Sequence, residues 1–332
     1  MNGNEAYDAQ NESLIDNVFD NNVIYKKWLK GFYNYLGNMS KASAYRYLCH
    51  VSNFLAYTKG NPSRYTLDDY TDYLTSVKDK TASYQIVVYS ALKKFSTYLY
   101  ASRKSTDNPM QFVSRPKFRE SIKTKRKREI GYLTPEEIQI YLQRVETGLK
   151  WTNIMYKDDY KQWRALRDKV IILILLNTGL RCSAVFKLNI DSVDFKNKSL
   201  ITVDKGDKIQ EYELDDGLCD LLKEWISVRK EICKNQDENA LFLSFAMERL
   251  GQQGIANIVK KYSIDINGKN ITPHKLRATY GTELYRQTKD LYFVQTCMGH
   301  SNPKTTEMYI RGEAESSRKK ASAIMSNITM KK

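Results

Sequence analysis

Asp168-Lys169-Val170-Ile171-Ile172-Leu173-Ile174-Leu175-Leu176-Asn177-Thr178-Gly179-Leu180-Arg181 decides the fold of the C-terminal part of this chain. The apolar run over 170–176 has no polar face, so it predicts a helix buried on all sides of a soluble core. It is seven residues long, where a bilayer span needs about 20. Gly179 stops the helix, because glycine accepts the left-handed backbone found after a last helical turn. Arg181 then emerges from the stop, and a further helix opens around Ser183.

Downstream, Leu200-Ile201-Thr202-Val203 and Gln210-Glu211-Tyr212-Glu213-Leu214 flank Asp204-Lys205-Gly206-Asp207-Lys208, two β-prone runs around a glycine-bearing turn. The pattern predicts a β-hairpin. Helices are expected over 218–232, 247–262, 276–288 and 291–297, with another after Gly312. Upstream, Thr134-Pro135-Glu136-Glu137 predicts a helix start: a capping hydroxyl, a proline at the first position and two acids at the positive end. Residues 115–128 hold eight Lys or Arg against one acid, Glu120, and Asn108-Pro109 ends what precedes them. Further back, helical spacing of Leu29, Phe32, Tyr33 and Leu36, then of Leu48, Val51, Phe54 and Leu55, then around Tyr70 and Tyr73, then of Val88, Leu92, Phe95 and Leu99 predicts about four amphipathic helices. Residues 1–20 carry five acids and no base, and a flexible acidic end is expected there.

The expected layout is therefore a flexible N-terminus over 1–20, a helical domain over 21–112, a basic linker over 113–130, a second, mostly helical domain with a small β-hairpin over 131–312, and a tail over 313–332. The fold class is mainly α. The chain has 332 residues, 53 Lys and Arg against 38 Asp and Glu, and a formal charge of +15, an excess that attracts polyanions, nucleic acid first. No stretch pairs a basic face with a strongly apolar one, which disfavours a membrane-surface helix, and no signal peptide is visible. The five cysteines are scattered, with no CxxC pair, so reduced thiols are expected and no structural zinc.

Three histidines are present, His50, His274 and His300. In Thr272-Pro273-His274-Lys275-Leu276-Arg277, His274 and Arg277 are three apart and share a helix face. Gly299-His300 ends a short helix, and Tyr309 follows nine residues later.

In this order the motifs resemble those of the tyrosine recombinases, or phage-type integrases. Thr178-Gly179-Leu180-Arg181 resembles the family's first arginine box, Lys205 in the hairpin its β-hairpin lysine, His274-x-x-Arg277 its second box and Gly299-His300 its third. Tyr309 has the nucleophile's spacing. The helical first domain, the basic linker and Leu133-Thr134-Pro135-Glu136-Glu137 also match the family's layout, which implies a core-binding, SAM-like DNA-binding domain followed by a catalytic domain.

The chemistry agrees with the resemblance. Cutting a phosphodiester through an enzyme-bound intermediate needs a nucleophile, charge stabilisation on the non-bridging oxygens and a proton for the leaving 5′-oxygen. Tyr309 supplies the phenolic oxygen. Arg181 and Arg277 clamp the phosphate in bidentate fashion, so no divalent metal, no cofactor and no ATP is called for. His274 and His300 add donors, His274 can also take the tyrosine proton, and Lys205 is the candidate acid, with Lys208 as the alternative. Lys117, Arg119, Lys123, Lys125, Arg126, Lys127 and Arg128 are expected along DNA phosphates.

The resemblance further implies four protomers on two double-stranded DNA sites, a pair on each site, with the domains clamping the duplex. The tail after Tyr309 would dock on a neighbouring protomer, and an accessory protein or sister recombinase is a further expected partner. A simple, Xer-like or transposon-borne enzyme of a mobile element, acting in the bacterial cytoplasm on the nucleoid, is expected. Type IB topoisomerase-like relaxation and a catalytically weak DNA-binding accessory protein are the alternatives. Two positions depart from the family pattern: Ala184 stands where an acid is frequent, and Ala278 where a histidine is.

Overall fold

The computed structural model describes residues 3–117, 131–147, 158–204, 208–233, 239–263 and 266–299. The chain divides into two compact units, Asn4–Ile122 and Lys123–Lys332, the latter together with Met1–Gly3.

The first unit is helical: α1 (Gly3–Asp20), α2 (Lys26–Leu36), α3 (Lys41–Thr58), α4 (Leu67–Ser76) and α5 (Ala82–Ala101). Its core is aromatic and aliphatic. Phe54 stacks on Tyr70 with ring centroids 4.8 Å apart, and Phe32 meets Phe95 edge to face at 5.3 Å, arrangements that suit the ring quadrupoles. Thr66 starts α4 with a reciprocal capping box to Asp69, and the Thr81 hydroxyl accepts the Tyr84 N–H at the start of α5. Residues 3–20, within the stretch expected to be flexible, form the helix α1. Asn11, Ile15 and Phe19 recur every four residues and are buried, so one narrow face suffices to dock a helix whose other faces are acidic. Glu12 pairs with Lys41, and Asp20 pairs with Lys26 at 2.8 Å.

The second unit is built around the stretch over 168–181. α6 (Pro135–Glu146) precedes α7 (Asp158–Thr178), and Val170, Ile171, Ile172, Ile174 and Leu175 of α7 are fully buried. α8 (Cys182–Lys187), α9 (Asp216–Ile232), α10 (Gln252–Lys261) and α11 (Pro273–Thr288) pack with α6 around α7, and α12 (Leu291–Cys297) packs on α11. The small sheet is antiparallel in the order β1 (Val193–Asp194), β2 (Ser199–Asp204), β3 (Lys208–Glu213). Its register pairs Thr202 with Gln210 and Asp204 with Lys208, so residues 205–207 connect the two long strands. The sequence does not announce β1, two residues turned back by Asp194, whose carboxylate accepts the N–H groups of Lys196 and Asn197. α10 is shorter than the expected 247–262 because residues before it close a tight turn, with Met247 at φ +60° and Leu243 bridging Arg249. Among the described residues no helix is long and apolar enough to cross a membrane.

Candidate active site

Two turns meet in the second unit, and one side chain joins them. At the end of α7 the Thr178 hydroxyl donates to the Ile174 carbonyl at 2.6 Å and accepts the Leu180 N–H at 3.2 Å. Gly179 sits at φ +62°, and a Cβ there would run into the Tyr280 ring of α11, so both conformation and space require glycine. Two residues on, Arg181 is the N-cap of α8 and is exposed.

Arg277 lies inside α11 and is only 3% exposed. Its guanidinium donates to the Gly179 carbonyl at 2.5 Å and to the Met298 carbonyl at 2.6 Å. It thereby ties the turn that delivers Arg181 to the turn that ends α12. Gly299, at φ +59°, closes that second turn by donating its N–H to the Thr296 carbonyl at 3.0 Å. His300 is the next residue in the chain. His274 occupies the second position of α11, after Pro273 and the capping Thr272, and is exposed while Arg277 is buried. The two are three apart, but only His274 faces outward.

The hairpin reaches the same place. Gln210 of β3 lies against Gly299, where a Cβ would overlap its side-chain amide. Tyr280, three residues after Arg277, is pushed up to about 12 by burial, with Cys297 and Tyr212 adding to it, and its ring packs against Gly179. Lys275, beside His274, is held below its ordinary value by burial and by the charge of Lys269. Cys182, next to Arg181, is raised to about 11 by burial, which keeps it a thiol.

The entry to the unit is fixed to the same helix. The Leu133 N–H donates to the Thr279 hydroxyl of α11 at 2.9 Å, and Lys269 donates to the Tyr132 carbonyl at 3.0 Å and to Glu137 at 2.5 Å. Burial alone would raise the Glu137 carboxyl, but Lys269, the Thr134 N–H and Asn267 outweigh it and hold the group below 4.5.

Of the residues expected from the sequence, Arg277 bonds to the Gly179 carbonyl, two residues before Arg181, and His274 lies on the same helix as Arg277. Lys205, His300, Tyr309, Arg119, Lys123, Lys125, Arg126, Lys127 and Arg128 lie outside the described residues. Of Lys208 only the backbone is described. Lys117 is exposed in the first unit, and His50 also belongs to that unit, edge to face with Tyr84 at 5.1 Å. Gln210, Thr279 and Tyr280 are the positions that sequence reasoning missed; the glycines at 299 and 179 were the signal for Gln210 and Tyr280, and Thr279 had none. Ala184 is buried and Ala278 is half-buried. Among the described residues no group of three or more His, Cys, Asp or Glu side chains is gathered to hold a metal.

A sequence profile of the phage integrase family matches residues 132–316. The chain belongs to this family, the tyrosine recombinases. It is 32% identical over 146 residues to a tyrosine recombinase XerC of Alcanivorax borkumensis, covering 44% of this chain and 48% of the relative. With a XerC of Caldanaerobacter subterraneus subsp. tengcongensis the identity is 31% over 245 residues, covering 72% and 62%. The chain thus spans about half to three fifths of the length of these two relatives. A XerH site-specific recombinase bound to palindromic difH substrate superimposes with a TM-score of 0.63 at 20% identity, over 86% of this chain and 80% of the other, a likeness of tyrosine recombinase fold.

Proposed function

We propose that this tyrosine recombinase is a site-specific DNA recombinase that cuts and rejoins strands through a covalent 3′-phosphotyrosyl intermediate, for integration, excision, inversion or dimer resolution. The observation that carries the proposal is the Arg277 guanidinium bonded to the carbonyls of Gly179 and Met298. It draws together the turns preceding Arg181 and His300, which a phosphate clamp requires of residues so far apart in the chain.

In this reading Tyr309 attacks the scissile phosphorus, the P–O5′ bond breaks, and the 3′-phosphate remains on the tyrosine. His274 takes the phenolic proton and Lys205 gives one to the 5′-oxygen. Arg181, Arg277 and His300 stabilise charge on the non-bridging oxygens. Attack by the 5′-hydroxyl of another strand reverses the step, so bond energy is conserved. The helical unit, with Lys117 and the basic residues after it, follows the phosphate backbone. The xerH–difH complex and the Xer-named relatives support double-stranded DNA as the partner. A pair of protomers on each of two sites, joined through the tails, with an accessory protein or sister recombinase, completes the proposal. Its place is the cytoplasm, on the nucleoid.

The test is to express the wild type and Tyr309→Phe in a bacterial host, trap covalent protein–DNA adducts and sequence the attached DNA. Adducts at one discrete site with the wild type alone are expected. Scattered adducts would favour topoisomerase-like relaxation, and adducts from the phenylalanine variant would remove Tyr309 from its role.

A further inference from the structure

Gln210 lies on β3, two rungs of the ladder from the Asp204–Lys208 pair that ends the hairpin. Gln210 and Tyr212 are two apart and share one face of the strand. On the opposite face Ile209 is 73% exposed, so the Gln210 face is the one turned toward the protein. The Tyr212 hydroxyl donates to the Gln210 Oε1 at 2.8 Å, and that bond directs the amide nitrogen away from Tyr212, onto Gly299. Gly299 is itself held through its neighbour Met298, whose carbonyl accepts from Arg277. A continuous chain of contacts therefore runs from the hairpin through Gln210, the Gly299 turn and Arg277 to Gly179, two residues before Arg181.

We propose that Gln210 is a positioning residue that fixes the β2–β3 hairpin against the Gly299 turn and so sets the hairpin lysine relative to the scissile phosphate. The inference rests on the function proposed above, in which Lys205 gives the proton to the leaving oxygen. Two rungs are about 7 Å of strand, so a small tilt at Gln210 displaces the hairpin end by about 1 Å, enough to cost about a hundredfold in rate. Glycine at 299 is explained by the same contact: any side chain there would displace the amide.

The experiment compares single-turnover cleavage by the full chain of two duplexes bearing the site found by adduct sequencing. One has oxygen and the other sulfur at the bridging 5′ position of the scissile phosphate. A thiolate leaves without a proton, so a defect in proton delivery disappears on the sulfur duplex, whereas a defect in the clamp or the nucleophile does not. Gln210→Ala is expected to slow the oxygen duplex about tenfold to a hundredfold and to cleave the sulfur duplex within about threefold of wild type. Gln210→Met, of similar length without the amide, and Tyr212→Phe, which leaves Gln210 in place, should show the same selective rescue to lesser degree. Their melting temperatures separate misfolding from misplacement. Wild-type rates for all three variants on oxygen, or equal slowing on both duplexes, would overturn the proposal. Failure of the underlying reading looks different: Lys205→Ala would then gain nothing from sulfur, or Tyr309→Phe would still form adducts.

Discussion

The two units bury different things. Among the described residues, the buried polar side chains of the first unit are Asn11 and Ser96, both neutral, within a core of Leu, Val, Phe and Tyr. In the second unit they include Glu137, Arg167, Asp168, Arg229 and Arg277. Asp168 accepts from Arg167 at 2.8 and 3.1 Å and from Lys261 and Tyr262 at 3.2 Å, and Arg167 also donates to the Leu243 carbonyl. Apolar packing is forgiving about which atom fills a space, provided volume is kept. Buried ions are not, because each depends on a partner of opposite charge or a carbonyl in one place. The unit that holds Arg181 and Arg277 is thus built to fix positions, and the first unit is built to hold a shape.

The largest test of that contrast uses two conservative substitutions. Asp168→Asn leaves Arg167 buried without its counter-charge and should cost about 3–5 kcal/mol. Leu48→Met, at a fully buried site of the first unit, keeps volume and should cost less than about 1.5 kcal/mol. Hydrogen exchange at the amides of each unit reads the two losses separately. Comparable losses would mean that the charged network is not what specifies the second core.

Next in size is Gly179→Ala. The left-handed backbone and the Tyr280 ring oppose the methyl group together, and a loss of about 2–4 kcal/mol is expected. The turn that delivers Arg181 moves with it, so covalent adduct formation should fall further than stability does. An alanine variant with full adduct yield would show that the turn tolerates displacement.

These positions also mark how far the sequence could be read. α7, its glycine stop, the hairpin and the start of α6 are local, carried by an apolar run, a turn residue or a cap, and each was legible. The helicity of α1 was not, because two apolar residues, Ile15 and Phe19, face the core amid acids, and composition outweighed their spacing. At the candidate site Arg181, His274 and Arg277 were legible as residue types in order. That Arg277 works from inside, bonded to two carbonyls, was not, since Gly179 and Met298 meet it only through the packing of α7, α11 and α12. Gln210 was hidden for the same reason: its partner Gly299 lies far along the chain, and a glutamine on a strand carries no signal of its own.

pH sharpens the comparison with a smaller effect. The folded-state value of Glu137 lies below 4.5, so its interactions contribute fully above that unfolded value and are lost as pH falls through the lower folded one. The second unit should therefore lose stability in acid below about pH 4.5, and Glu137→Gln should flatten that limb while costing about 1–3 kcal/mol at neutral pH. Exchange in the first unit should follow pH less steeply over the same window. An unchanged acid limb in the glutamine variant would remove Glu137 as the source of the loss.

The smallest effect comes from a motif present in both units. Thr66 and Thr134 each start a helix with the same reciprocal box, to Asp69 and Glu137. Thr66→Ala removes an exposed cap and should cost about 1 kcal/mol, the ordinary value of such a bond. Thr134→Ala removes a cap whose acid also receives Lys269 and Asn267, so one change loosens several bonds. A double-mutant cycle of Thr134→Ala with Lys269→Met should return a coupling of about 0.5 kcal/mol or more, against none for Thr66→Ala with the same lysine change. Zero coupling in both would reduce Thr134 to a cap like any other and confine the positional stiffness of the second unit to α7, α11 and the turns they hold.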